Sequence, residues 1–270
     1  AVIMAGGVGS RFWPRSKEKK PKQLIRIFGE NTMIQDTAKR LEGLIANDHI
    51  YIVTNKVQKM RVKEQLPQIP EENIIDEPFG KNTAACIGLA SVIIKSKNPD
   101  AVTITLPADH LIKDEEQFRR CLSTAVDFAY KSKGLVTIGI TPNRPETGYG
   151  YIQFDEKGID NNIYKVLTFA EKPNLATARQ FIESGDFLWN SGIFIWHVET
   201  ILGEIRKHLP DLSDGLDKIE ECIGTNDLEK QVILVYGQLK SISIDYGVME
   251  KSDNVYLTKA DFYWNDVGNW

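Results

Sequence analysis

Hydrophobic and polar positions follow two different periods along the first half of the chain. Mainly apolar runs, which are typical of buried strands, occupy residues 1–4, 50–53, 102–106 and 135–140. Apolar residues recur with the spacing of helices that bury one face over residues 33–44, 57–65, 83–95 and 115–131. Because strands and helices alternate, the pattern predicts βαβ units and a largely parallel sheet with helices on both faces.

The pattern changes after about Pro145. A Gly-Tyr-Gly-Tyr run at 148–151 leads into short strands, residues 164–171 predict another strand, and residues 174–183 predict a helix. Residues 198–208, 212–223 and 226–236 predict surface helices, which leave a homodimer interface and a solvated face as alternatives. The chain has no repeat or linker, so we expect one domain. Its second half should cover the carboxyl ends of the first-half strands, where ligands bind in open α/β sheets.

Composition narrows the class of protein. Of the 270 residues, 42% are apolar and 26% are charged, as in globular proteins rather than disordered chains or coiled coils. No apolar run reaches the ~20 residues of a membrane helix, and the net charge of −4 gives no general attraction to nucleic acid. Cys86 and Cys121 are expected in the core, and the three cysteines form no CxxC pair. We therefore expect a cytoplasmic protein without membrane or nucleic-acid partners.

A glycine-rich turn follows the first predicted strand, in the run GGVGSRFWPRSKEKKPKQ. Such a turn lets backbone N–H groups approach phosphate oxygens. Arg11 and Phe12 do not fit a P-loop, and Phe12-Trp13-Pro14 does not fit the glycines and helix of a dinucleotide fingerprint. Residues 11–26 carry seven basic side chains and one acidic one. We interpret Arg11 and Lys22 as polyphosphate ligands, and the lysines at 17, 19 and 20 as a solvated surface.

Two carboxylates are candidate metal ligands. Asp109 stands at the end of a predicted strand in LPADH, and Asp266 stands two residues before a turn glycine in WNDVG. Together they could hold Mg²⁺, which needs one or two carboxylates besides phosphate oxygens. For Asp109 alone, a helix cap or turn is an equal alternative. We interpret His110 as a turn residue rather than a base.

Three clusters have the composition of a sugar pocket: ETGYGY at 146–151, AEKP at 170–173 and WNSGI at 189–193. A hexose needs a carboxylate and an amide for its hydroxyls, a glycine for close approach and an aromatic edge. For Glu171 and Lys172, an ordinary solvated ion pair is an equal alternative.

The order of these motifs resembles that of the sugar-1-phosphate nucleotidylyltransferases, and it covers essentially the whole chain. The glycine run is followed by EPFGKNTA (77–84), LPADH (106–110), ETGYGYI (146–152), FAEKP (169–173), WNSGIF (189–194), SIDYGVMEK (243–251) and WNDVG. Arg-Phe-Trp-Pro in the first loop and Pro-Lys-Gln at its end are similar to the branch that uses GTP and mannose 1-phosphate.

The resemblance implies an α/β fold of Rossmann-like type, with a mixed, mostly parallel central sheet flanked by helices. It implies the reaction of GTP with α-D-mannose 1-phosphate to give GDP-mannose and pyrophosphate, with Mg²⁺. Residues 1–145 would bind the nucleotide and residues 146–270 the sugar phosphate. The residues it implies for the nucleotide are Gly6, Gly7, Gly9, Arg11, Lys22, Asn82, Pro107 and Ala108, with Arg11, Lys22 and Asp109 catalytic. Those it implies for the sugar phosphate are Gly148, Glu171, Lys172, Asn190 and Asp266, with Asp109 and Asp266 as metal ligands.

Several alternatives stay open. A thymidylyl- or uridylyltransferase acting on glucose 1-phosphate would share the fold and the mechanism. A glycosyltransferase commonly carries Asp-Xaa-Asp, whereas Asp109 stands in Ala-Asp-His. A non-catalytic homologue that binds nucleotide sugar should have lost the charged site residues, which are present here. Members of the family often continue past the last motif into a β-helical segment or an isomerase domain, and we expect that extension to be absent.

Overall fold

The apolar runs of the first half form strands near the predicted positions. We describe residues 1–7, 16, 20–170, 172–260 and 262–268 of a computed structural model. In these ranges the strands are β1 (Val2–Met4), β2 (Tyr51–Asn55), β3 (Ile74–Glu77), β4 (Val102–Pro107), β5 (Leu111–Ile112), β6 (Leu135–Ile140), β7 (Tyr151–Phe154), β8 (Ile163–Ala170), β9 (Phe187–His197), β10 (Val255–Lys259) and β11 (Trp264–Asn265).

The helices also follow the predicted pattern. They are α1 (Met33–Lys39), α2 (Lys59–Gln65), α3 (Asn82–Lys97), α4 (Glu115–Ser132), α5 (Leu175–Ser184), α6 (Val198–His208), α7 (Pro210–Glu220) and α8 (Leu228–Gln238). Short 3-10 helices lie at Lys22–Leu24, Asn47–His49 and Glu71–Asn73, and a π-helix at Asp245–Met249. The first helix is shorter than predicted, because the backbone after Lys39 tightens into i→i−3 hydrogen bonds before Gly43, whose φ is +81°. No helix in the described ranges is both long and apolar enough to cross a bilayer.

One mixed sheet of nine described strands runs through the molecule, in the order β3-β2-β1-β4-β9-β6-β10-β8-β7. Seven of these strands run in one direction, and β8 and β9 run against them. The predicted α/β fold with a mixed, mostly parallel sheet is therefore confirmed. A small antiparallel pair of β5 and β11 stands apart from this sheet.

The second half of the chain extends this sheet. Strand β9 lies between β4 and β6, so that Ile195 pairs with both Ile104 and Val136. The prediction that the second half covers the carboxyl ends of the first-half strands therefore misses the strands that it adds to the sheet itself. Strand β9 is buried on both faces of the sheet, with Ile193 and Ile195 in one core and Phe194 and Trp196 in the other. Segments 141–150 and 262–268 follow the carboxyl ends of β6 and β10 and reach the site described below.

The sheet separates two apolar cores. Helix α4 packs on one face through Phe118 and Leu122, while α3 and α6–α8 cover the other face. Helix α3 is buried around most of its surface, and Gly88 lets it approach α7, since a Cβ there would lie 2.7 Å from a methyl of Leu216. Cys86 is buried as predicted, and the half-buried Cys121 packs against the first core.

Candidate active site

The glycine turn after β1 is held from beneath by a glutamine. The Gln23 side-chain amide donates hydrogen bonds to the carbonyl oxygens of Ala5 at 2.7 Å and Gly7 at 3.0 Å. Gln58 donates to the Gly7 oxygen as well, at 3.3 Å. No atom of the described residues outside its chain neighbours lies within 4 Å of the position of a Cβ on Gly7. The carbonyl groups of the turn are thus fixed inward while its other side stays accessible to a ligand.

Lys22 lies next to this glutamine, in the 3-10 helix Lys22–Leu24. Its ammonium group forms an ion pair with Asp109 Oδ2 at 2.9 Å and donates a hydrogen bond to the Asp266 carbonyl oxygen. The Lys22 side chain is 7% exposed and that of Asp109 is 37% exposed. A nearly buried cation therefore faces a carboxylate that solvent and a ligand can reach.

The strand pair β5–β11 brings the two carboxylates together. Leu111 pairs with Asn265, so Asp109 and Asp266 stand at the same end of a two-stranded ladder. His110 stabilises this ladder, because its Nδ1 accepts a hydrogen bond from the Trp264 indole at 3.1 Å. Burial lowers the pKa of His110 to about 4, so the ring is neutral near pH 7. His110 is thus a structural acceptor, in agreement with its interpretation as a turn residue.

The segment before β7 reaches over to Asp266. The Tyr149 hydroxyl donates a hydrogen bond to Asp266 Oδ1 at 2.6 Å. Burial, with this hydrogen bond, raises the pKa of Tyr149 well above its ordinary value, so the hydroxyl keeps its proton. Nearby, the Gly148 N–H donates to Glu146 Oε1 at 3.0 Å. The predicted sugar-binding glycine therefore lies beside a tyrosine that contacts the predicted metal ligand.

Strand β9 brings Asn190 next to the segment that carries Gly148 and Tyr149. The Asn190 N–H donates to the Gly150 oxygen at 2.8 Å, and the side-chain amide donates to Asp245 Oδ1 at 2.6 Å. The Asn190 Oδ1 accepts a hydrogen bond from the Gly192 N–H at 3.1 Å, where Gly192 has a φ of +69°. Asp245 opens the π-helix Asp245–Met249, and such helices are frequent at functional sites. In the sequence analysis Asp245 is part of the motif SIDYGVMEK, and no role is assigned to it.

Comparisons with known proteins identify the family of this chain. A model of the family described as nucleotidyl transferase matches residues 1–270. This chain belongs to the nucleotidyl transferase family. A mannose-1-phosphate guanylyltransferase of Escherichia coli K12 is 40% identical over 280 residues, covering 100% of this chain and 58% of the relative. This nucleotidyl transferase thus spans little more than half the length of the curated relatives it matches.

Solved structures of similar fold also carry names related to mannose phosphates. A crystal structure named mannose-1-phosphate geranyltransferase, from Thermus thermophilus, superposes with a TM-score of 0.89 at 34% identity, over 100% of this chain and 76% of that one. A Helicobacter pylori structure named mannose-6-phosphate isomerase has a TM-score of 0.79 at 26% identity and covers 98% of both chains.

Of the other predicted residues of this nucleotidyl transferase, Pro107 and Ala108 lie at the same edge of the sheet. Pro107 ends β4 opposite Met4, and the buried Ala108 donates its N–H to the Met4 oxygen at 3.0 Å. Asn82 is exposed at the start of α3, and its side chain contacts the N–H of the next residue, so the described contacts do not connect it with Lys22. Lys172 is exposed just beyond the end of β8. Gly9, Arg11 and Glu171 lie outside the described residues.

Glu77 is a further acidic residue of the nucleotidyl transferase site that sequence reasoning did not assign. Its side chain ends β3, is 6% exposed and accepts a hydrogen bond from the Tyr236 hydroxyl at 3.1 Å. Its other oxygen lies 3.2 Å from the position of a Cβ on Gly6, so a side chain there would require the Glu77 carboxylate to shift by a few tenths of an ångström. Burial raises the pKa of Glu77 to about 7. Its place at the start of EPFGKNTA is the signal that could have identified it.

Members of this family generally use a divalent metal ion. No group of three or more histidine, cysteine or acidic side chains in the described ranges could hold a metal by itself. Asp109 and Asp266, both in contact with Lys22, offer two carboxylates at a partly exposed position. This donor set fits a hard cation that takes its other ligands from phosphate and water.

Proposed function

We propose that this chain transfers GMP from GTP to α-D-mannose 1-phosphate, giving GDP-mannose and pyrophosphate, as a mannose-1-phosphate guanylyltransferase does. The observation that carries the proposal is the contact of Lys22 with both Asp109 and Asp266, beside the glycine turn after β1. The relatives named for this activity support the choice of substrates.

The proposed roles divide along the chain, with residues 1–145 binding the nucleotide and residues 146–270 the sugar phosphate. On the nucleotide side, Gly6, Gly7, Gly9 and Arg11 bind phosphates, Lys22 binds at the α-phosphate, and Asn82, Pro107 and Ala108 lie along the guanine. On the sugar side, Gly148, Glu171 and Asn190 bind hydroxyls, and Lys172 binds the sugar phosphate.

The reaction proposed here needs no general base. The attacking group is a phosphate oxygen of the sugar phosphate, which is an anion near neutral pH. His110 is engaged by the Trp264 indole, which agrees with a mechanism that uses no histidine. The chain's task is to bring two anions into line and to stabilise the charge that develops at the α-phosphorus. Lys22 is proposed to do this, and Arg11 to assist.

Asp109 and Asp266 are proposed to hold Mg²⁺. When bound, the ion would neutralise charge on the phosphate oxygens. Asp109 meets the requirement of access, since its side chain is more than a third exposed.

The free cysteines of the described chain support the proposal of a reducing, cytoplasmic location.

The test of this function is pyrophosphate release with Mg²⁺ from GTP and mannose 1-phosphate. The same assay is run with ATP, UTP and dTTP, and with glucose 1-phosphate in place of the mannose substrate. Preferred turnover of the GTP and mannose pair is expected. Turnover of another pair alone would replace the substrates but keep the reaction, and no pyrophosphate from any pair would contradict the proposed activity.

A further inference from the structure

One contact joins the proposed sugar-binding segment to the proposed metal-binding carboxylate. Tyr149 precedes β7 in the segment that carries Gly148, and Asp266 follows β11 near the other end of the chain. The 2.6 Å hydrogen bond from the Tyr149 hydroxyl to Asp266 Oδ1 spans this separation. Neither the family resemblance nor the proposed reaction gives Tyr149 a role.

The hydrogen bonds to Asp266 distinguish its two carboxylate oxygens. Oδ1 accepts from the Tyr149 hydroxyl and also from the Gly268 N–H at 2.9 Å. Among the described residues no hydrogen bond reaches Oδ2. Because each carboxylate oxygen has about two acceptor positions, these two donors fill Oδ1. A cation at this site would therefore meet Oδ2.

The tyrosine ring is itself held on several sides. Its centroid lies 5.1 Å from that of Trp189 and 5.3 Å from that of Trp264, both in edge-to-face geometry. The Arg144 guanidinium lies 6.0 Å from the Tyr149 ring and 5.3 Å from the Trp189 ring. A ring fixed in this way orients its hydroxyl at little further entropic cost.

We propose that Tyr149 is a positioning residue that orients Asp266, so that Oδ2 is presented to the divalent cation of the reaction. This inference rests on the proposed function, because it takes Asp266 as a metal ligand. Tyr149 acts through Asp266 and contacts neither the cation nor the phosphates. Groups that orient metal ligands in this manner commonly change metal affinity by about 10–100-fold.

Tyr149→Phe tests this proposal, because it removes the hydroxyl and keeps the ring between the two tryptophans. The matched control is Tyr151→Phe, in the same segment, whose hydroxyl donates to the Glu146 oxygen at 3.0 Å instead of a carboxylate. Mn²⁺, used as the paramagnetic probe, is titrated into each protein with GTP present, and unbound Mn²⁺ is followed by electron paramagnetic resonance. Matched titrations of GTP alone supply the background binding. Thermal unfolding midpoints show whether either variant is destabilised.

We expect Tyr149→Phe to bind Mn²⁺ about 10-fold more weakly than the wild type, and Tyr151→Phe to bind it normally. In the pyrophosphate assay, Tyr149→Phe should need about 10-fold more Mg²⁺ for half-maximal rate, with kcat near normal at saturating Mg²⁺. Asp266→Ala, the positive control, should weaken Mn²⁺ binding at least as much.

Normal Mn²⁺ affinity in Tyr149→Phe would overturn the proposal, as would an equal loss of affinity in Tyr151→Phe. Normal Mn²⁺ affinity in Asp266→Ala would also overturn it. So would a wild-type protein that binds no Mn²⁺ beyond the amount bound by GTP alone. Failure of the proposed reaction gives a different result. In that case the wild type adds Mn²⁺ binding but releases no pyrophosphate from GTP and mannose 1-phosphate, and the difference between the two tyrosine variants still decides the role of Tyr149.

Discussion

Lys22 keeps its ammonium group almost out of solvent, between the Asp109 carboxylate and the Asp266 carbonyl oxygen. A buried cation is costly unless partners compensate it, and here both partners belong to the proposed metal site. Removing the lysine leaves Asp109 with more than a third of its side chain exposed, so water can solvate that carboxylate. The fold should therefore tolerate a substitution that the reaction does not.

Lys22→Ala should lower kcat by about 100-fold, because one charge that stabilises the α-phosphorus is lost. The measurement is steady-state pyrophosphate release, with circular dichroism to verify folding. Lys95→Ala is the control, since Lys95 also forms an ion pair, with Glu220 at 2.7 Å, but between α3 and α7 on a helical face. Near wild-type turnover in Lys22→Ala would remove Lys22 from the proposed mechanism.

The 3-10 helix Lys22–Leu24 connects the proposed catalytic lysine with the glycine turn. Its first residue, Lys22, contacts the Asp109 carboxylate and the Asp266 carbonyl oxygen, and its second, Gln23, donates to the carbonyl oxygens of Ala5 and Gly7. Gln23 is buried and gives each of these carbonyls a shorter hydrogen bond than the 3.3 Å bonds from Gln58 to Gly7 and from Thr54 to Ala5. The shape of the turn and the position of Lys22 are therefore set by one short element.

Gln23→Met, which keeps the side-chain length but loses the amide, should raise the KM for GTP several-fold and leave the KM for mannose 1-phosphate nearly unchanged. It should also lower the free energy of unfolding by about 1–3 kcal/mol, because the hydrogen bonds of Gln23 to the two carbonyls are lost. Steady-state kinetics and urea unfolding measure the two effects. The control is Gln153→Met. Gln153 lies on the distant strand β7 and donates a 2.7 Å hydrogen bond to Asp186, so its loss should leave the KM for GTP unchanged. Equal KM changes for both substrates would argue against a turn-specific role.

At the scale of the whole molecule, Glu77 couples stability to pH. Its ordinary pKa of 4.5 is raised by burial to about 7 in the fold, so the folded protein favours the protonated acid. The contribution of Glu77 to stability is therefore full below pH 4.5 and is lost as the pH rises through about 7. Linkage puts the loss between pH 5 and pH 8 at about 2–3 kcal/mol.

Glu77→Gln, which cannot ionise, should remove that loss. The free energy of unfolding of Glu77→Gln relative to wild type should rise by about 2–3 kcal/mol from pH 5 to pH 8, measured by urea unfolding at both values. The exposed Glu156 provides the control variant Glu156→Gln, whose difference from wild type should stay constant. A difference for Glu77→Gln that does not change with pH would show that Glu77 is ionised in the fold across this range.

The pattern of hydrophobic and polar residues predicts those strands and helices whose signal lies within one short stretch of sequence. Strand β4 is a short run of apolar residues and threonines and α4 keeps one apolar face, so both stand where predicted. Strand β9 was not predicted, because Asn190, Ser191 and Gly192 interrupt its apolar pattern. Lys22, Asp109 and Asp266 could be identified from motifs. Tyr149 and Asp245 could not, because their contacts depend on segments distant in sequence.

The position of β9 has a consequence for how the chain acquires its structure. Strands β4 and β6 are complete by residue 140, yet each has β9 as its neighbour, which begins only at Phe187. Until then both present unpaired edges, and such edges promote association between chains. During synthesis the centre of the sheet must wait for the second half to emerge. A fragment ending near residue 145 is therefore expected to aggregate, however complete its nucleotide-binding motifs.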